Sequence, residues 1–191
     1  MHGNYYEQIT EGTHTIFRNH FVRQMVSVVL GSCFLAVASQ IAFPLPFTPV
    51  PVTLQTLAVS LLALYQGKNK ASLSVIAYLA QATCGLPVLA GGMSNPLWMI
   101  EPKAGYLVGF IVGAYLTGYL LERLEHHGLL GTLVSFGGGC LAILVAGTAW
   151  LALYVGISNA VMLGFVPFLI GGALKVGMAC ALTKPIRWAT E

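Results

Sequence analysis

Long apolar stretches without charge are the feature that most constrains how this chain can fold. No Asp, Glu, Lys or Arg occurs in residues 24–67, 71–100, 104–121 or 128–174. Each stretch is near or beyond the roughly 20 residues that an α-helix needs to cross a bilayer. Only 8% of the 191 residues are charged, far fewer than soluble domains carry. We therefore predict an all-α, polytopic membrane protein.

Proline and glycine clusters divide these stretches into six predicted transmembrane helices. Four prolines between positions 44 and 51 cannot all lie inside one helix, so the first stretch contains two spans joined by a loop. The last stretch is too long for one helix and breaks near residues 156–159. We predict a single integral membrane domain, residues 1–191, with spans near 23–43, 53–66, 71–89, 104–121, 129–155 and 161–183.

The N-terminal segment is predicted to be a polar lead over residues 1–22. Ala36-Val37-Ala38 resembles a signal-peptidase cleavage pattern, but the apolar run continues to Phe43 and is long enough to span the bilayer. We therefore expect the segment to be retained and to lie in the cytoplasm.

The distribution of Lys and Arg predicts the orientation. With six spans and a cytoplasmic N-terminus, only Lys103 falls outside the cell, and Lys175 lies within the last span. The other basic residues all fall on the cytoplasmic side, as the positive-inside rule requires: Arg18, Arg23, Lys68, Lys70, Arg123, Lys184 and Arg187. We predict a multi-pass protein of the cell membrane with both termini in the cytoplasm.

Several function classes lack the residue patterns that they need. The basic residues form no patch, which argues against nucleic-acid binding. The cysteines have no CxxC spacing and the histidines no HExxH spacing, so we predict no metal site and no cofactor. No P-loop, G-x-S-x-G motif or pair of intramembrane carboxylates occurs, so no catalytic residue is predicted. An intramembrane enzyme and a structural membrane protein remain the alternatives to a binding protein.

Lys175 is the most informative single residue, since a lysine in mid-span costs about 2.5–3.5 kcal/mol on insertion scales. The chain has no Asp, and two interpretations stay open: an ion pair with Glu101, or a cation that awaits an anionic ligand. Other side chains could complete a mostly apolar pocket with a few polar groups: Gln55, Tyr78, Gln81, Tyr106 and Trp98. Tyr78 and Gln81 share a helical face, which a hydrogen bond between helices explains equally well.

Small residues recur at intervals of four. Gly105, Gly109 and Gly113 lie on one face of the fourth predicted span, and Ala38 and Ala42 on one face of the first. Such faces let helix backbones approach closely. For the glycines we favour packing within the bundle over an interface with a partner.

Residues 46–59, PFTPVPVTLQTLAV, resemble the signature of the BioY family of biotin transporters. Further segments are similar to the family in the same order: Tyr78, residues 85–88, 90–92 and 105–110, and the Leu174-Lys175 pair. The resemblance covers nearly the whole chain from about residue 25 onward.

The resemblance implies a six-helix S-component bundle that binds biotin near the outer membrane surface, as the substrate-binding subunit of an energy-coupling-factor (ECF) transporter. It implies three partner subunits, a transmembrane coupling protein and two ATPases, with Ala38 and Ala42 resembling the contact to the coupling protein. The chain differs from the usual family pattern at Gly172, where an acidic residue is common, and at residues 101–104, which read Glu-Pro-Lys-Ala. An S component for another small vitamin is therefore the alternative.

The chemistry of biotin then suggests a role for each candidate ligand-binding residue. Lys175, Lys103 or both would meet the carboxylate through charge-assisted hydrogen bonds. For the ureido head the candidates are Gln55, Asn95 and Tyr106, and for the ring system Trp98.

Overall fold

Helices form most of the chain in the computed structural model, which describes residues 4–124 and 128–188, with side chains from 20 to 124, 128 to 169 and 171 to 182. The helices are α1 Asn4–Gln40, α2 Gln55–Thr83, α3 Ala104–Arg123, α4 Gly128–Val155, the short α5 Ile157–Ala160 and α6 Val166–Trp188. A π-helical turn, Val161–Phe165, joins α5 to α6, and two 3-10 turns lie at Ala90–Gly92 and Trp98–Ile100. Strands β1 Ala42–Phe43 and β2 Val52–Thr53 pair as an antiparallel hairpin. The predominantly helical prediction is confirmed.

Helix α2 folds back on itself at Gly67. The backbone there has φ 74° and ψ 170°, outside the helical region and in a conformation that glycine adopts readily. Gln55 Nε2 donates a hydrogen bond of 2.8 Å to the hydroxyl of Tyr78, 23 residues along the chain. A straight helix would separate these residues by about 35 Å. The two halves of α2 therefore lie side by side.

Four segments are long and apolar enough to cross a membrane: His20–Gln40, Ala104–Arg123, Gly128–Val155 and Ile157–Leu182. They overlap the first, fourth, fifth and sixth predicted spans. The predicted spans 53–66 and 71–89 correspond to the two halves of α2 rather than to separate helices. Over the described residues the structure thus has five long helices, α1 to α4 and α6, and the count of six spans is not confirmed.

The ends of two elements differ from the prediction. Helix α1 stops at Gln40, because the prolines from Pro44 onward favour the extended hairpin. Ala42 consequently lies in β1, paired with Thr53, so it does not share a helical face with Ala38, and that part of the prediction is wrong. The second half of α2 ends at Thr83, before Gly85 with its positive φ of 83°.

The most extensive helix contact joins α3 to α4 and includes the predicted glycine face. A Cβ atom on Gly105 would collide with the side chain of Trp150, and one on Gly113 would lie 2.5 Å from Cγ1 of Ile143. At Gly109 a Cβ would lie 3.2 Å from Cβ of Ala146. The interpretation that these glycines pack within the bundle is confirmed.

Hydrogen bonds gather the loops at one end of the bundle. Ser39 Oγ donates to the carbonyl of Val88 at 2.6 Å, which joins the end of α1 to residues 84–103. Tyr154, near the end of α4, donates through its hydroxyl to the carbonyl of Ile100 at 2.7 Å. We call this the loop end. At the opposite end, the Lys68 end, Lys68 Nζ lies 2.6 Å from Glu122 Oε2, beside the fold of α2 at Gly67.

Candidate functional site

A cavity opens between the helices at the loop end. Hairpin residues from β2, the start of α2, the first turns of α3, the middle of α4 and one face of α6 all contribute to its walls. Its volume is about 60 Å³ and its walls are mainly apolar. The polar side chains that line it are Thr53, Gln55, Thr56, Lys103, Tyr106 and Lys175. Four of the predicted ligand-binding residues therefore meet here.

Lys175 reaches the cavity from α6. No ion pair or hydrogen bond to its ammonium group occurs among the side chains that the structure describes. Glu101, the counter-ion considered for it, pairs with Lys103 instead. Because burying an unpaired cation is costly, the free ammonium group is available to an anion that enters the cavity.

Gly172 precedes Lys175 by about one helical turn and is buried. A Cβ atom at this position would lie 2.9 Å from Sγ of Cys140 in α4, closer than such atoms approach without adjustment. The absence of a side chain at Gly172 therefore lets α6 lie against α4 where Lys175 enters the cavity.

Lys103 lines the cavity at its rim, immediately before α3. Its Nζ lies 2.8 Å from Oε2 of Glu101. The other carboxylate oxygen of Glu101 accepts a hydrogen bond of 2.5 Å from Nδ2 of Asn95. Lys103 thus belongs to a polar cluster built by the 95–103 segment.

Gln55 and Tyr106 also make hydrogen bonds within the protein. The Oε1 atom of Gln55 accepts from the hydroxyl of Thr53 at 3.2 Å, and its Nε2 donates to Tyr78. The hydroxyl of Tyr106 donates to the carbonyl of Gly164 at 2.8 Å, in the π-helical turn before α6. These bonds fix both side chains in the cavity wall. The Tyr106 oxygen also lies 3.5 Å from Oγ1 of Thr148, so one amide hydrogen of Gln55 and the second lone pair of Tyr106 are left for a ligand.

Two predicted ligand-binding residues do not line this cavity. Asn95 points to Glu101, as described above. Trp98 is buried and donates through its indole N–H to Oγ1 of Thr83 at 3.0 Å, lining a separate apolar groove with Val108 and Trp150. The structure brings neither side chain to the polar groups around Lys175, and their roles remain predictions.

Sequence reasoning missed most of the cavity wall, including Thr56, Phe110 and Phe168. The hydroxyl of Thr56 is buried without a hydrogen-bond partner. The ring of Phe168 packs against that of Tyr106 with 5.9 Å between the centroids. Helical spacing could have identified both phenylalanines. Phe168 lies seven residues before Lys175, and Phe110 lies four residues after Tyr106, so each shares a helical face with a predicted ligand-binding residue.

The polar groups at the site are few and of mixed kinds. Among the described residues, no group of three or more His, Cys, Asp or Glu side chains is placed to hold a metal ion. The cavity instead combines apolar walls, one unpaired cation and a few hydroxyl and amide groups, an arrangement suited to a small amphipathic anion.

Comparison with known proteins identifies the family. The sequence matches the profile of the BioY family over residues 9–191. It is 35% identical over 150 residues to the biotin transporter BioY of Rhizobium etli, which covers 74% of this chain and 80% of that protein. It is 34% identical over 167 residues to the biotin transporter BioY of Thermotoga maritima, which covers 87% of this chain and 96% of that protein.

A solved structure shares the fold. It is the S-component for biotin from an ECF-type ABC transporter, with a TM-score of 0.78, 24% sequence identity, and coverage of 88% of this chain and 93% of that one. The family match over residues 9–191 and the apolar helices described above make this chain a multi-pass protein of the cell membrane. Together with the sequence match over residues 9–191, these similarities establish that the chain belongs to the BioY family.

Proposed function

We propose that this chain takes up biotin across the cell membrane as the substrate-binding subunit, or S component, of an ECF transporter. The relatives in Rhizobium etli and Thermotoga maritima are named biotin transporters, and the structure of similar fold is an S-component for biotin. The observation within this chain that carries the proposal is Lys175, which lies in a mainly apolar cavity and has no counter-ion among the described side chains. In this role the chain is a binding subunit and not an enzyme.

The carboxylate of biotin pairs with Lys175 in this proposal. That cation has no counter-ion among the described side chains, so a ligand carboxylate completes the pair without displacing a protein group. A charge-assisted hydrogen bond of this kind contributes about 1.5–3 kcal/mol.

The uncharged part of biotin fits the remaining wall. The hydroxyl of Thr56 lacks a partner, and Gln55 and Tyr106 each keep one unused hydrogen-bonding position, so together they suit a ureido group. Phe110 and Phe168 supply apolar contact for the rings. Asn95 would act through Glu101, and Trp98 through its contact with the end of α2. Because the cavity is small in this structure, its walls must separate when biotin enters.

Partners supply the energy for transport in this proposal. The sequence contains no P-loop, so the ATPase subunits of the ECF complex would hydrolyse ATP and a transmembrane coupling protein would transmit the change. We propose that α1 contacts the coupling protein through the surface around Ala38.

We also propose six spans, with α2 contributing two of them and both termini in the cytoplasm. The reversal of α2 at Gly67 and the gathering of Lys68, Glu122 and Arg123 at one end support this topology. Lys68→Cys, in a background without the four native cysteines, tests it in intact cells. Reagents that cannot cross the membrane should leave this cysteine unlabelled, whereas a cysteine at Met93 should be labelled. Labelling at position 68 would contradict the orientation.

Biotin binding to the detergent-purified protein tests the function directly. Titration with biotin should show saturable binding to one site, and biotin amide should bind more weakly because it lacks the charge that Lys175 pairs with. Another vitamin that bound while biotin did not would assign a different cargo. Absence of any small ligand would favour a structural role.

A further inference from the structure

Three charged side chains meet around the cavity. Lys103 and Lys175 line its wall, and Glu101 pairs with Lys103 at 2.8 Å. The pair neutralises one lysine and leaves the other, Lys175, without a counter-ion among the side chains that the structure describes. The three side chains therefore carry a net charge of +1, which is balanced by a single negative charge on a ligand.

Glu101 is held firmly beside Lys103. Its Oε1 atom accepts the hydrogen bond from Asn95, and its backbone carbonyl accepts one of 3.1 Å from the indole N–H of Trp150 in α4. The side chain of Lys103 is 17% exposed and that of Glu101 28%. A partly buried pair whose carboxylate is also held by Asn95, on a backbone held by Trp150, is screened weakly by solvent and keeps its geometry.

We propose that Glu101 is a specificity-determining residue, which holds Lys103 away from the ligand and sets the charge of the site so that it accepts one carboxylate. The inference rests on the proposed binding of biotin in this cavity. It assigns different roles to the two lysines: Lys175 pairs with the ligand, whereas Lys103 is occupied by the protein's own carboxylate.

The charge of the site can be changed in steps while its shape is kept. Glu101→Gln preserves an oxygen that can accept from Asn95 but frees Lys103, so the net charge becomes +2. Lys103→Met leaves Glu101 without its cation, and the net charge becomes zero. The double variant Glu101→Gln with Lys103→Met restores +1 with neither member of the pair.

The measurement is the affinity of each purified variant for biotin and for biotin amide, expressed as the ratio of the two. We expect this ratio to rise about tenfold in Glu101→Gln, the factor that corresponds to 1.4 kcal/mol, because a second cation becomes free for the carboxylate. It should fall about threefold in Lys103→Met, where Glu101 repels the anion, and return to within about twofold of the original value in the double variant.

A ratio that falls in Glu101→Gln, or that stays displaced in the double variant, would overturn the inference and make Glu101 a residue that shapes the loop. If Glu101→Gln fails to fold, the double variant and Lys103→Met can still be compared, because they differ only in the carboxylate at position 101. The biotin-to-amide affinity ratio should be higher in the double variant than in Lys103→Met, and an equal or lower ratio would contradict the proposal. Failure of the unaltered protein to bind biotin would refute the proposed function instead. Intact biotin binding with equal ratios in all variants would refute only the role of Glu101.

Discussion

Helices α3 and α1 are both apolar and long enough to cross the membrane, but they are held in the bundle in different ways. Of the most apolar 18 residues in α3, within Ala104–Arg123, 56% are buried. Of the corresponding 18 residues in α1, within His20–Gln40, 22% are buried. Helix α3 packs through three glycines against the backbone of α4, whereas α1 contacts α2 through one glycine, Gly31 beside Ser74, and through individual polar contacts. The bundle therefore has a closely packed pair of helices and a peripheral helix.

The contacts of α1 show how a peripheral helix is held in lipid. Gln66 Nε2 donates to the carbonyl of Ser27 at 2.8 Å, and Gln81 Nε2 donates to the hydroxyl of Ser32 at 3.0 Å. Lipid is as apolar as a protein core, so apolar side chains alone do not drive helices together, and hydrogen bonds or close packing must do so. The exposed face of α1, with Val26, Leu30 and Val37, is free for lipid or a partner.

The cavity lies between the closely packed pair of helices and a side that less buried elements form. Tyr106, Phe110 and Ile143 come from the closely packed α3 and α4. The opposite side comes from the hairpin, the 84–103 loop and α6. In the most apolar 18 residues of the span Ile157–Leu182, only 18% are buried. Binding should therefore depend on α3 and α4 for shape and on the other elements for charge and access.

The largest expected effect comes from Gly105→Leu, which attacks the packed pair. Its side chain would collide with Trp150 and with the carbonyl of Ala146, so we expect a loss of about 3 kcal/mol or more. For a chain of this size that corresponds to a fall of roughly 6–12 °C in the apparent unfolding temperature. Thermal unfolding in detergent measures it.

Gly137→Leu is the matched control for Gly105→Leu. Gly137 lies in α4, and a Cβ atom there meets no atom within 4 Å. Its unfolding temperature should change little. Equal destabilisation by both substitutions would mean that any large side chain at a helical glycine disturbs the bundle, and the distinction between packed and peripheral faces would be lost.

Lys175→Met is expected to have the next largest effect, on binding rather than on stability. Loss of the charge-assisted bond should weaken biotin about tenfold to a hundredfold, with little change for biotin amide. Lys70→Met, at the Lys68 end, removes a cation far from the cavity and should leave both affinities unchanged. If the affinities for biotin and for its amide fell equally, Lys175 would be a structural residue. If neither affinity changed, Lys103 rather than Lys175 would bind the carboxylate.

Patterns within single helices made much of this molecule predictable. The apolar stretches identified the helical membrane class, and the spacing of Gly105, Gly109 and Gly113 identified the packed face, because both depend on neighbours along one helix. Lys175 stood out since an intramembrane cation requires a local explanation.

Contacts between distant segments were harder to foresee. Asn95 and Trp98 lie close to Lys103 in sequence, but the turns of the 84–103 loop direct Asn95 to Glu101 and Trp98 to Thr83. Helix ends were also uncertain: Ala42 continues the apolar run of α1, yet the prolines that follow place it in a strand. Loop conformation of this kind depends on hydrogen bonds that a one-dimensional pattern does not contain.

Tyr106→Phe should have a smaller effect, because it removes one hydrogen bond between the packed pair and the turn that leads into α6. The lost bond to Gly164 contributes about 0.5–1.5 kcal/mol. We expect biotin affinity to fall by roughly threefold to tenfold, with α3 still packed on α4. Tyr115→Phe is the control, since Tyr115 is exposed on the same helix. If the two variants bound biotin equally well, the link from Tyr106 to α6 would play no part in binding.

The smallest effect on binding is expected from Ala38→Leu, which tests whether the periphery serves a partner. Ala38 is half-buried on α1, whereas Ala42, one of the two alanines first considered, pairs with Thr53 in the hairpin that borders the cavity. Ala38→Leu should leave biotin affinity within about twofold but reduce co-purification with a co-expressed ECF coupling protein, since a larger side chain blocks close helix approach.

Ala42→Leu should instead lower the affinity for biotin, because it disturbs the strand next to Thr53. Val37→Leu, on the exposed face of α1, serves as the control and should change neither measurement. If Ala38→Leu reduced biotin binding as much as partner capture, Ala38 would belong to the packing of the bundle, and α1 would be less peripheral than its exposure indicates.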